Sequence, residues 1–168
     1  MRRGKLLAAV YILSFMAGCQ TLLFNPIGRM VPENKRISLR DSGEWTGVFK
    51  NEDMILTYKM VRASGILNIS GTIHFTRRIA ENFPVIGYFH LDAIPIDTQG
   101  KSLGMAGLTS VSYYYTEYIT PSSPPLTFNT SISIPDSCGS MAFSYTGKAY
   151  DPADHDGGGM DFWEYPFE

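Results

Sequence analysis

Along most of the chain, apolar and polar residues alternate one by one. The clearest run is Ile66 to Thr76: Ile69, Gly71, Ile73 and Phe75 fall on one face, and Asn68, Ser70, Thr72, His74 and Thr76 on the other. A strand with one buried face requires that alternation, because successive side chains point to opposite sides of the sheet. Trp45 to Lys50 and Met54 to Arg62 read as two earlier strands around the turn Asn51-Glu52-Asp53. Further on, Val85, Gly87, Phe89 and Leu91 alternate with Ile86, Tyr88, His90 and Asp92, and Asp97-Thr98-Gln99-Gly100 follows as a turn. Lys101 to Tyr115 continues the β character, and Pro121 to Pro125 breaks it. Leu126 to Ile134 and Ser140 to Tyr150 alternate again, with Met141, Phe143 and Tyr145 sharing a face. Past the tether, no segment keeps a helical period over eleven residues or more. Seven to nine short strands with turns at intervals near ten residues predict an all-β domain, a single antiparallel β-sandwich. An eight-stranded membrane barrel fits the length but not the strands. Its strands need an apolar lipid-facing row over about ten residues, whereas these carry prolines and polar outer faces.

Composition agrees with strands. The chain of 168 residues is 44% hydrophobic, 13% aromatic and only 18% charged, with ten Tyr and ten Phe. Aromatics favour strands, and the balance excludes collagenous, coiled-coil and disordered classes. With 14 basic and 16 acidic residues, the chain lacks the basic excess of a nucleic-acid binder, and no nucleic-acid partner is expected.

The N-terminus follows a different pattern. Arg2, Arg3 and Lys5 form a basic start, and Leu6 to Ala17 is an apolar run interrupted only by Ser14. The run is too short to span a hydrocarbon core, which needs about 20 residues, and has the dimensions of a secretory signal's apolar region. Small residues and a cysteine follow as Met16-Ala17-Gly18-Cys19.

This segment resembles the signal peptides of bacterial lipoproteins, whose lipobox is an aliphatic residue, two small residues and Cys. Met16 stands where Leu is commoner; Ala17, Gly18 and Cys19 match. The resemblance covers the N-terminus alone. It implies cleavage between Gly18 and Cys19, a diacylglyceryl group on the Cys19 thiol and acylation, typically with palmitate, of the new amine. Gln20 in place of Asp implies sorting to the outer membrane of a Gram-negative envelope, with the body in the periplasm or facing the medium. Two or three acyl chains hold a protein firmly, where one binds only marginally. Loss of residues 1–18 removes Arg2, Arg3 and Lys5 and no acid, so 14 basic and 16 acidic residues become 11 and 16, net −5. An acidic body is not drawn to an anionic surface by charge.

The expected layout is a signal peptide over 1–18, a lipidated N-terminus and tether over 19–36 with Asn25-Pro26 and Val31-Pro32 as breakers, and the sandwich over 37–168. The run from Tyr88 to Gly100, a strand then an Asp-x-x-Gly turn, resembles immunoglobulin-like sandwich domains of bacterial envelope proteins; that likeness implies fold and nothing about activity.

With Cys19 lipidated, Cys138 has no intramolecular disulfide partner. Its surroundings, Pro135-Asp136-Ser137-Cys138-Gly139-Ser140, read as a turn, and its expected role is a small inert side chain. The strands Ile66–Thr76 and Val85–Ile94 are expected to pair as a hairpin, with Ile73 opposite Phe89. His74 and His90 would then be diagonal neighbours beside Asp92, a set able to ligate a metal, although solvated strand-face residues account for the same pattern. The loop Asp151-Pro152-Ala153-Asp154-His155-Asp156-Gly157-Gly158-Gly159, with Asp161, gathers carboxylates and glycines as calcium sites do. Against the EF-hand template Pro152 and Trp163 fall where ligands are required, so a solvated loop is expected. No metal or other cofactor is expected.

Tyr113, Tyr115 and Tyr118, with Trp163, are the candidate ligand-binding residues, since aromatic platforms stack sugars and anchor protein partners. His-Glu-x-x-His and a phosphate-cradling glycine loop are absent, and no catalytic residue is identified. The expectation is a lipid-anchored cell-envelope protein, not an enzyme, acting as a binding or scaffold module. Its partners would be the membrane through its lipid and another envelope protein. The alternatives are a carbohydrate- or peptidoglycan-binding lipoprotein and, further off, a metal-dependent hydrolase.

Overall fold

Each alternating run becomes a strand with one face in the core. The computed structural model describes residues 25–115, with 113–115 as backbone alone, 125–153 and 158–168. Nine strands follow in chain order: β1 (Ile37–Ser38), β2 (Gly43–Lys50), β3 (Met54–Ala63), β4 (Ile66–Phe75), β5 (Val85–Asp97), β6 (Ala106–Tyr115), β7 (Leu126–Ser133), β8 (Cys138–Tyr150) and β9 (Gly159–Glu164). They form two antiparallel sheets, and the fold is an all-β sandwich. One sheet runs β2-β3-β4-β7; the other runs β1-β8-β5-β6, with β9 also paired to β8. The first sheet thus opens with a three-strand meander. Among the described residues no helix is long and apolar enough to cross a membrane.

Turn chemistry fixes the meander's register. The Asn51 side chain accepts hydrogen bonds from the backbone N–H groups of Asp53 and Met54, both at 3.0 Å, the side-chain-to-backbone turn that Asn favours. At the next reversal Ser64 and Gly65 have φ of 50° and 75°. Two positive φ angles make the tight hairpin turn whose twist matches the strands. The turn expected after β5 is held by Asp97 Oδ1, which accepts from the N–H groups of Gln99 and Lys101 at 2.8 Å each.

The core lies between the sheets. Leu56, Met60, Leu67, Ile69 and Ile73 of the first meet Phe89, Leu91, Phe143, Tyr145 and Phe162 of the second. Aromatic pairs cross the interface: Phe75 meets Phe89 edge-on at 5.2 Å between ring centroids, and Tyr58 meets Phe143 at 5.2 Å. Such geometry adds about 0.5–1.5 kcal/mol per pair beyond burial.

Four expectations are corrected. The strands β4 and β5 do not form a hairpin: β4 pairs with β3 and β7, β5 with β6 and β8. Between them a four-residue helix, α1 (Arg77–Ala80), carries the chain to the other sheet and is itself a helix the pattern did not predict. Alternation fixes which face of a strand is buried, not which strand lies beside it. Stacking the apolar rows face to face buries them as well as aligning them side by side, and Phe75 and Phe89 meet that way. His74 therefore belongs to one sheet, and His90 and Asp92 to the other.

Residues 25–36 of the expected tether are part of the body. The N–H of Gly28 bonds to the carbonyl of Ser102 at 2.8 Å, that of Ser102 to Arg29 at 2.8 Å, and that of Val31 to Gly100 at 3.0 Å. Val31 is fully buried against Ile94, Ile96 and Ala142. The breakers Pro26 and Pro32 made this stretch read as linker, yet its bonds go to a strand-like partner distant in sequence. Cys138, expected in a turn, opens β8 and is buried.

Candidate functional site

The two long sides of the sandwich differ. On one, β6 and β7 approach closely enough for the Thr130 hydroxyl to donate to the Leu108 carbonyl across the gap at 2.7 Å. On the other, the edge strand β2 has only β3 as neighbour. The facing edge is shared by β1 and β9, which pair with different stretches of β8. A cleft of about 380 Å³ opens there, lined by Lys35, Lys50, Asn51, Tyr58 and Glu164 with apolar Val48 and Phe49.

Tyr58 reaches this cleft from inside the core. It lies on the inward row of β3, directly across from Gly47. A Cβ at Gly47 would collide with the Tyr58 hydroxyl end, so the missing side chain is what lets the phenol extend under the edge strand. Tyr58 is only 7% exposed, its hydroxyl has no hydrogen-bond partner among the described residues, and burial raises its pKa. It enters the cleft as a neutral hydroxyl with donor and acceptor capacity to spare.

A chain of polar groups runs inward from the same cleft. Lys35 Nζ pairs with Glu164 Oε1 at 2.5 Å. Asn51 Nδ2 donates to Glu164 Oε2 at 3.3 Å and to Tyr145 Oη at 2.6 Å. The Tyr145 hydroxyl donates to Asp53 Oδ2 at 2.7 Å, and Arg78 Nη1 donates to Asp53 Oδ1 at 2.5 Å. Tyr145 and Asp53 are both buried. Burial, then the hydrogen bond and charge of Asp53, push the Tyr145 phenol far above its ordinary range, so it acts as a hydrogen-bond donor at any physiological pH. The network ties α1, the β2–β3 turn, β8 and β9 together. Buried polar groups satisfied in this way specify one arrangement of the core. The cleft presents Lys50 and the Tyr58 phenol to polar groups, with Lys35 already paired to Glu164, and Val48 and Phe49 to apolar ones.

The residues singled out from sequence are not gathered here. Gly18, Cys19 and Tyr118 lie outside the described residues. Tyr113 and Tyr115 belong to β6, whereas Trp163 stands on β9, 60% exposed. β5 and β8 separate those two strands, so Trp163 and the β6 tyrosines are not one cluster. Of the acidic loop, Asp154, His155, Asp156 and Gly157 lie outside the described residues. Asp151 accepts from the Ala153 N–H at 2.9 Å, and Asp161 sits in β9 opposite Lys148. Among the described residues no group of three or more His, Cys, Asp and Glu is placed to hold a metal ion. His90 tilts against Tyr88 at 5.9 Å, and burial raises the Asp92 pKa while His90 lowers it. Cys138 donates to the Ser140 carbonyl at 3.3 Å, and burial raises its pKa, which keeps it a thiol of low reactivity at neutral pH.

Lys35, Lys50, Tyr58 and Glu164 were missed in the sequence, and Asn51 and Asp53 were seen only as a turn. One signal was present: a glycine on the inward row of a strand, Gly47, in a hairpin that sets it against an aromatic. Compared with protein-family models, with curated proteins and with solved structures, the chain finds no match, so the site rests on its own geometry.

Proposed function

We propose that this is a lipid-anchored protein of the bacterial cell envelope, sorted to the outer membrane, whose sandwich is a binding or scaffold module for another envelope protein. The observation that carries the reading is the order of residues at the N-terminus: a basic start, a short apolar run, then Ala17-Gly18-Cys19. Anchoring confines the body to the membrane, which raises its effective concentration toward neighbours and lets weak contacts suffice. The open side of the sandwich suits such a contact. The edge strand β2 offers backbone groups to an added strand, and the cleft beside it offers Tyr58, Lys50 and the 63% exposed Val48.

The decisive experiment replaces Cys19. The wild-type protein should fractionate with membranes and carry the mass of its acyl chains; Cys19→Ala should be released and carry none. A wild-type protein of unmodified mass would end the proposal. A photo-crosslinking residue at Val48, in native membranes, should capture a discrete partner, whereas the same residue at Thr130, on the closed side, should not.

A second reading, carbohydrate binding, is favoured by the exposed Trp163 ring on β9. Titrating glycans while following tryptophan fluorescence tests it, and an unchanged spectrum across a panel of envelope sugars counts against it.

A further inference from the structure

We infer that the end of the sandwich formed by residues 27–30 and 101–105 rests on the lipid bilayer; this depends on the lipid-anchor reading and assigns the surface that the anchor presses against the membrane. Chain length gives the first argument. The chain becomes part of the body at Pro26, which is buried, and the next residues are bonded to Ser102 and Gly100. From Cys19 to Pro26 there are seven residue steps, at most about 25 Å at 3.3–3.6 Å each. A domain of this size has a radius of gyration near 15 Å and is roughly 40 Å across. The far side of the body therefore lies beyond the tether's reach, and the end where the chain enters stays within about 25 Å of the lipid.

That end has the surface for it. Ile27 is 64% exposed, Met30 40% and Met105 45%. These are three of the seven large hydrophobic side chains that stand exposed among the described residues, and they share one site in the fold. Met30 bridges Lys101, and the Gly28–Ser102 and Ser102–Arg29 bonds carry Ile27 alongside Leu103, two residues from Met105. Apolar tips flanked by basic side chains are the composition of surfaces that lie in the headgroup region. Here the cations are Lys101, which is exposed, and Arg29, whose guanidinium lies 5.8 Å from the Phe167 ring centroid, while the acidic Glu168, whose N–H bonds to the Met30 carbonyl, borders the same patch. With the mature body at net −5, charge supplies little attraction, and burial of Ile27, Met30 and Met105 supplies the contact.

The test uses the full-length lipidated protein carrying one added cysteine, at Ile27, Met105 or Val48, labelled with an environment-sensitive fluorophore. The buried Cys138 does not compete for the label. Each protein is reconstituted into vesicles of phosphatidylethanolamine and phosphatidylglycerol, with and without a lipid bearing a shallow nitroxide quencher. Flotation of the vesicles reports the anchor independently. The expected result is that all three proteins float and that quenching at positions 27 and 105 exceeds that at 48 at least twofold, with blue-shifted emission. Floating proteins with equal quenching at all three positions would overturn this inference and leave the anchor standing. Proteins that fail to float would overturn both.

Discussion

Removing the hydroxyl of Tyr145 is the sharpest test of the buried network. Tyr145→Phe keeps the ring, which packs against Phe89 and Phe162 at centroid distances of 6.1 and 6.2 Å, so no cavity accompanies the change. What disappears is the 2.7 Å donor to Asp53 and the 2.6 Å acceptor for Asn51. Asn51 keeps Glu164 as a partner at 3.3 Å, and Asp53 Oδ1 keeps Arg78, but Asp53 Oδ2 loses its donor in a site that water scarcely reaches. A hydrogen bond to a charged group contributes about 1.5–3 kcal/mol net. The expected loss is therefore about 2–3 kcal/mol, or roughly 5–10 °C in Tm for a domain of this size. Urea denaturation of the unlipidated Cys19→Ala protein measures it, with the m value held constant. Combining Tyr145→Phe with Asp53→Asn closes a double-mutant cycle, and the two losses should fall short of additive by about 1 kcal/mol or more. A loss below about 0.5 kcal/mol, or strict additivity, would show that the hydroxyl and the carboxylate do not depend on each other.

Alkaline pH tests the same residues by another route. Folding raises the pKa of Tyr145 and Tyr58 above the unfolded value of 10.0, so above pH 10 the unfolded chain gives up protons that the folded one retains. Stability is complete below that value and falls as pH climbs past it; urea midpoints at pH 9, 10 and 11 should show a decline that Tyr145→Phe reduces. Asp92 has the opposite meaning at neutral pH. Its pKa is raised by burial, so ionisation above pH 3.8 weighs against the folded state, and Asp92→Asn should raise the urea midpoint at pH 7 but not at pH 3. Gly147→Ala would drive a methyl group into the buried Phe162 ring and should cost about 1–3 kcal/mol by overpacking, with Phe162→Leu in the same chain recovering part of the loss. Gly47→Ala should displace the Tyr58 hydroxyl, seen as a shift of its phenol resonance with only a small change in urea midpoint.

Alternation along the chain determined the strands and their buried faces: Ile69, Ile73 and Phe75 point inward as their spacing requires, and the Asn51 and Asp97 turns fall where their side chains can cap a reversal. Those are local properties, set by a period of two and by short hydrogen bonds. The proposed lipid anchor likewise rests on the order of residues before Cys19 and on no tertiary contact, because a signal of that kind is read as a linear segment. Tertiary structure decided what depended on partners far along the chain. Burying the apolar row of β4 is equally served by β5 beside it or opposite it, and only the packing of all nine strands selected the latter. Pro26 to Arg36 looked like linker until Ser102 and Gly100 supplied partners for its backbone and Val31 found the core. The cleft depends on an absent side chain at Gly47, a phenol on β3 and a carboxylate more than a hundred residues later on β9. No local pattern links such residues, since only the closing of two sheets brings them together.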